Sequence, residues 1–258
     1  AVTSHPGRMG LYFLSVGAGL RASEIVYDRA GSSFAATGPE DYDFDRLLAG
    51  AGLLHLSGIT PALGPRSAEA ALAAARAAKR LGVPVSFDGN YRAMLWEAWD
   101  SDPRAILSEL IGIADILFGN HRDLSLVLGR EFSGEGEDRR REAVEAGFAA
   151  FPDLKLIAST ARHTVTADHH RIAARVDLRE ASHQTADVDV TGIVDRIGAG
   201  DAFAAGVLHA HLSGGDARAM AESGLALTCL KHSLPGDASR FGQSDIDAFH
   251  AGALDVRR

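Results

Sequence analysis

The residues best suited to chemistry stand in one run, Asp195-Arg196-Ile197-Gly198-Ala199-Gly200-Asp201-Ala202-Phe203-Ala204-Ala205-Gly206. A polar, extended stretch meets a glycine-rich turn and then a helical pattern. Glycines at 198 and 200 let the backbone approach an anion closely, and the helix that follows adds its positive N-terminal end. The run predicts a cradle for a phosphate or another oxyanion. Asp201 falls in the first helical turn, where a carboxylate is favoured and can face whatever the cradle holds, so it is placed as a general base. Phosphoryl transfer requires a hydroxyl positioned in line, its proton removed and the spreading negative charge stabilised, and this run supplies two of the three. The plainer alternative is a tight turn with Asp201 capping a helix.

Two other polar segments follow apolar runs that read as buried strands: Ser86-Phe87-Asp88-Gly89-Asn90-Tyr91-Arg92 and Phe118-Gly119-Asn120-His121-Arg122-Asp123. Polar residues emerging at a strand's carboxyl end lie where open α/β sheets place their ligands. A left-handed turn beside a surface Arg, and an Asn-initiated helix, are the plainer alternatives.

The elements that must hold these segments follow from periodicity. Residues 53–57, 67–81 and 83–87 read as strand, helix and strand, one βαβ unit. Further strands are expected at 115–118, 154–160 and 171–176, and helices at 102–111, 122–128, 139–151, 202–211 and 216–230. This alternation predicts a parallel sheet with helices on both faces. Residues 11–16 and 24–29 flank a Gly-Ala-Gly turn and predict a β-hairpin, lying over a site as a lid or making dimer contacts. Residues 1–50 are read as that hairpin and its connection, and 51–258 as the α/β body. The polar stretch 133–141 is the longest linker-like segment and could simply start a helix.

With 258 residues and 46% hydrophobic content, the chain can bury a sizeable core. Lys and Arg total 26 against 34 Asp and Glu, a net charge of −8, which argues against nucleic-acid or membrane-surface binding and for a small ligand. Cys229 is the single cysteine and reads as a core residue; no internal disulfide can form. With neither a leader pattern nor an apolar run approaching about 18 residues, a cytoplasmic protein is expected. Gly17-Ala18-Gly19-Leu20-Arg21-Ala22 matches a dinucleotide fingerprint, but β-rich residues follow it where a helix is required. No GxxxxGK[ST] occurs. His163, His169 and His170 lack the nearby Cys or paired acidic ligands of a metal site, and Trp96 and Trp99 read as packing residues.

The run at 195–206 resembles the second signature of the ribokinase-like (PfkB-type) carbohydrate kinases, Asp-Thr-x-Gly-Ala-Gly-Asp-x-Phe-x-x-Gly, with Arg196 in place of Thr. Residues 86–92 resemble the same family's Asp-Pro-Asn-x-Arg segment, with Gly89 in place of Pro, and FDGNYRAMLW is similar to its 2-keto-3-deoxygluconate kinases. The segment at 118–123 is similar to its Asn-x-x-Glu motif, with Asp123 in place of Glu.

The resemblance covers nearly the whole chain. It implies a three-layer α/β/α sandwich with a mostly parallel central sheet and a small β lid, and ATP-dependent phosphorylation of 2-keto-3-deoxygluconate at its 6-position, with Mg²⁺. By resemblance, Asp201 is the base, the amides around Gly198, Ala199 and Gly200 hold the transferring phosphoryl, and Asn90 and Arg92 face sugar and phosphate. Asn120 and Asp123 lie near the Mg-nucleotide, Asp123 acting through a metal-bound water. Thr160, and Ser233 and Gly236 in the run 231–238, would contact the nucleotide. Tyr12, Tyr27 and Arg29 of the lid would hold an open-chain acid sugar, whose carboxylate an Arg can grip bidentately. A dimer through the lid is expected. Relatives open with a core strand, more of the lid and a Gly-Gly segment, so a trimmed or incomplete sequence is expected here. A fructokinase or ribokinase specificity and a catalytically weak sugar- or nucleotide-binding protein are the alternatives.

Overall fold

Residues 65–81 form the longest helix for reasons visible in their order. Pro65 occupies the first turn, where its missing N–H costs nothing, and Gly82 ends the helix at φ +70°, a left-handed cap that glycine adopts without strain. Between them alanines 68, 70, 71, 74, 75, 77 and 78 make one buried face. A face built of methyl groups lets a helix lie close to its neighbours.

The computed structural model describes residues 5–133 and 136–252, so residues 1–4 of the opening segment and 134–135 of the polar stretch lie outside the described residues. Strands are β1 (Leu11–Ser15), β2 (Glu24–Asp28), β3 (Leu54–Ser57), β4 (Val85–Asp88), β5 (Ile116–Phe118), β6 (Leu156–Thr166), β7 (His169–Leu178), β8 (Ser182–Gln184) and β9 (Val188–Thr191). Short helices are α1 (Ser33–Ala36), α2 (Phe44–Leu48), α3 (Ile59–Ala62) and α5 (Ala93–Trp96). Longer ones are α4 (Pro65–Leu81), α6 (Pro103–Ile113), α7 (His121–Leu128), α8 (Gly136–Ala150), α9 (Ala199–Leu212), α10 (Ala217–Lys231) and α11 (Gln243–His250).

The chain divides into two compact units. One holds the residues up to Phe13 together with Ile25–Ile157; the other holds Leu14–Glu24 and the residues from Ala158 onward. In the first, β3, β4 and β5 pair in parallel with Ser57 opposite Asp88 and Asp88 opposite Phe118, so three strands end level. Their core gathers Phe87, Leu110, Leu117, Leu124 and Ile157. Trp96 is buried and stacks on Trp99, whose indole N–H donates to the Ala62 carbonyl at 3.1 Å; both are packing residues, as expected.

In the second unit, β7 pairs antiparallel with both β8 and β9. Helices α9 and α10 pack so closely that a Cβ on Gly206 would lie 2.5 Å from the Ser223 carbonyl, and one on Gly224 would lie 2.7 Å from the Phe203 ring. Cys229 is buried there as a core residue.

The β1–β2 hairpin forms as the alternation predicts, and the turn at Gly17–Ala22 closes it with reciprocal Ala18–Arg21 bonds of 3.0 Å rather than opening a helix. Four findings differ from the sequence reading. Helices α8 and α9 begin at Gly136 and Ala199, each three residues early; β6 runs on to Thr166; β8, β9, α11 and the short helices α1, α2, α3 and α5 were not foreseen; and the strand at 171–176 extends to residues 169–178. Beyond Thr160 the β6 side chains are mostly exposed, so no apolar alternation marks them.

Candidate active site

The level ends of β3, β4 and β5 are each followed by glycine: Ser57-Gly58, Asp88-Gly89 and Phe118-Gly119. The Gly58 amide donates to the Asp88 carbonyl at 2.7 Å and the Gly89 amide to the Phe118 carbonyl at 2.9 Å, so the chains step upward together. A Cβ on Gly58 would sit 2.0 Å from the Gly89 carbonyl oxygen, which leaves glycine as the one residue that fits. Immediately above, Asn90 takes φ +38°, a left-handed conformation that Asn tolerates better than most residues, and its amide donates to Ser57 Oγ at 3.3 Å. Ser57 and Gly58 were missed at the sequence level. The signal that could have found them is the glycine after each of three apolar runs.

Asp123 closes this edge. Its Oδ2 accepts from the Asn120 amide at 2.8 Å while Asn120 Oδ1 accepts from the Arg122 amide at 2.8 Å, a reciprocal cap on α7. A Cβ on Gly89 would lie 3.1 Å from Asp123 Oδ1, so two departures from the family pattern, Gly89 and Asp123, face each other. Burial pushes the Asp123 carboxyl above the usual carboxylate range, against the opposing pull of the Asn120 amide and the Arg92 and Arg122 charges. Arg92 is exposed, with Nη1 donating to the Tyr91 carbonyl at 3.0 Å. Asn90, Arg92, Asn120 and Asp123 thus share one edge of the first unit.

The second unit builds the glycine loop. Gly198 is the N-cap of α9 at φ +76°, and a Cβ there would lie 1.9 Å from the Asp237 carbonyl oxygen. Asp195 joins the two loops: Oδ1 accepts from the Ile197 amide at 2.9 Å and Oδ2 from the Gly236 amide at 3.0 Å. The Val194 amide donates to the His232 carbonyl at 2.9 Å, and Thr228 Oγ1 donates to the Ala199 carbonyl at 2.8 Å. The Ala199 amide is engaged by the Arg196 carbonyl at 3.2 Å; among the described residues no acceptor meets the amides of Gly198, Gly200 and Asp201. Asp201 stands exposed in the first turn of α9. Ser233 Oγ donates to the Leu230 carbonyl at 2.7 Å, and Thr160 is exposed on β6. Asp195 was not singled out from the sequence, although it opens the same motif.

On the hairpin, Tyr12 and Tyr27 fall on its half-buried face, and the Arg29 guanidinium lies 4.9 Å over the Tyr27 ring. Among the described residues no cluster of three or more His, Cys, Asp or Glu could hold a metal.

A level parallel strand edge carrying Asn and Arg, together with a glycine loop opening a helix on Asp, defines a ribokinase-like α/β protein with a mostly parallel central sheet. Residues 2–240 match the pfkB family carbohydrate kinases, and the chain belongs to that family. It is 28% identical to the 2-dehydro-3-deoxygalactonokinase of Haloferax volcanii over 93% of this chain and 70% of that one. It is 29% identical to the 2-dehydro-3-deoxygluconokinase of Bacillus subtilis over 83% of this chain and 60% of that one, so it spans under two thirds of that relative's length. The crystal structure of 2-dehydro-3-deoxygluconokinase from Thermotoga maritima superposes with a TM-score of 0.88 at 34% identity, covering 95% of this chain and 74% of that one.

Proposed function

We propose that this protein is an ATP-dependent kinase of a small acid sugar, 2-keto-3-deoxygluconate foremost, forming the 6-phospho product. One observation carries the reading. Asp201 stands in the first turn of a helix at whose start the amides of Gly198, Gly200 and Asp201 lack acceptors among the described residues, on a loop that admits no side chain at Gly198. The names of the Bacillus, Thermotoga and Haloferax relatives support the substrate class.

In this reading the Asp201 carboxylate takes the proton of the terminal hydroxyl as that oxygen bonds to the γ-phosphorus and the bond to the β-phosphate oxygen breaks, releasing ADP. The amides of Gly198, Gly200 and Asp201 stabilise the charge on the transferring group. Arg92 adds positive charge, Asn90 orients the sugar, and Tyr12, Tyr27 and Arg29 hold its carboxylate and hydroxyls. Thr160, Ser233 and Gly236 line the nucleotide. Mg²⁺, when bound, neutralises phosphate charge. The Asp123 carboxylate, engaged at the Asn120 amide and favoured in its neutral form by burial, fits the ion only through water, with Asn120 beside it. The exposed Leu11, Phe13 and Val26 of the hairpin support a dimer closed through the lid. No helix among the described residues is long and apolar enough to cross a membrane, and the charge of −8 disfavours nucleic acid.

The test is an ATP-dependent phosphorylation assay on 2-keto-3-deoxygluconate, its galactonate counterpart, fructose and ribose, with wild type and Asp201→Asn. Turnover of the acid sugars that is lost in the variant supports the reading. Turnover of fructose or ribose alone moves the protein to a neutral-sugar kinase, and ATP binding with no turnover makes it a binding protein.

A further inference from the structure

A cavity lies wholly within the second unit, between the hairpin turn and the β6–β7 ribbon. It has a volume of about 270 Å³, and its lining includes Gly19, Ser23, Thr164, Thr166, His170 and Arg196. Arg196 is half-buried, and its guanidinium makes no hydrogen bond or ion pair among the described residues. His170 is 1% exposed, and its Nδ1 has no hydrogen-bond partner. The buried imidazole nitrogen without a partner is costly, and one anion would satisfy it while supplying the half-buried guanidinium with a counter-charge. Ser23 Oγ accepts from the Gly17 amide at 2.9 Å and keeps its proton to donate. The neighbouring carboxylate, Asp168, is absent from the lining and is already held by Thr166 Oγ1 at 2.7 Å and by the Gly19 amide.

We propose that this cavity binds a small metabolite through an oxyanion group, carboxylate or phosphate, with Arg196 gripping it bidentately and His170 and Ser23 as further donors. The size suits a ligand smaller than a nucleotide. The site does not depend on the kinase reading, since neither Asp201 nor the free amides of the glycine loop belong to it.

The groups acting on His170 are Arg162 on β6, His169 on its own strand, Arg196 in the loop and His232 after α10; all are basic, and together with burial they bring the imidazole down to about 4. A bound anion would oppose that shift, so binding draws in a proton and tightens as pH falls.

The test is calorimetric titration of the full chain with inorganic phosphate and, separately, acetate, with a non-hydrolysable ATP analogue saturating the glycine loop. Saturable binding that R196T weakens about tenfold or more and R196K partly restores is expected, the better probe identifying the anion class. Failure of the ATP analogue to bind would count against the kinase reading while the Arg196 dependence still decides this one. If R196T does not fold, H170Q carries the test: acetate affinity in wild type rises as pH falls from about 6.5 toward about 5, and the variant flattens that rise. Equal binding by wild type and R196T, or no saturable binding of either probe in the millimolar range, overturns the proposal.

Discussion

At the residue scale, Asp201 and Gly198 separate chemistry from architecture. Asp201 is exposed and carries no structural hydrogen bond through its carboxylate among the described residues, so Asp201→Asn is expected to lower kcat by about 10²–10⁴-fold while leaving the melting temperature unchanged. Gly198 is the reverse case. Its φ of +76° and the carbonyl of Asp237, 1.9 Å from where a Cβ would stand, mean that Gly198→Ala must shift the 231–238 loop. The expected loss is on the order of 3 kcal/mol, read by chemical denaturation, together with weakened nucleotide binding. The glycines and Asp201 were legible in the sequence because their roles depend on residue type and spacing within one short run. The part played by Asp195 was not, because its second partner, the Gly236 amide, is 41 positions away.

At the scale of elements, the site rests on where strands stop. Registers that place Ser57, Asp88 and Phe118 level bring Asn90 to Ser57 and Asp123 to Gly89. The Asn120–Asp123 cap sets the start of α7, so Asp123→Ala is expected to cost about 1 kcal/mol of stability by denaturant titration. If Asp123 served only as that cap, Asp123→Asn would lose much less activity than Asp201→Asn in the same assay. Strands buried on both faces and helices with an apolar stripe were readable from periodicity. The outer half of β6 was not, since its mostly exposed side chains leave no burial pattern to read, and β8 and β9, of 3 and 4 residues, are too short for alternation to stand out.

At the scale of the molecule, two buried histidines give the second unit a pH-dependent stability. Burial and neighbouring positive charge bring His170 down to about 4, and burial lowers His232, while the unfolded chain binds protons near the ordinary histidine value of about 6.5. Both folded values are depressed bases, so their contribution is complete above about pH 6.5 and is lost as pH falls toward about 4. Denaturation midpoints are expected to fall across that window, and His170→Gln to flatten the fall. The hairpin's exposed Phe13, 58% accessible, gives a second expectation. If the lid joins two copies, Phe13→Glu shifts sedimentation from dimer to monomer without unfolding the chain.

By itself the sequence determined the family and the βαβ body, and it set the glycine loop and Asp201 in one run, because these are encoded by local spacing and by the periodicity of buried faces. Tertiary structure alone decided which amides stay free, that Asp195 ties one loop to another, that Gly89 meets Asp123, and that Arg196 and His170 share a cavity. Such pairings depend on strand register and loop contact between residues far apart in the chain, which no local pattern records.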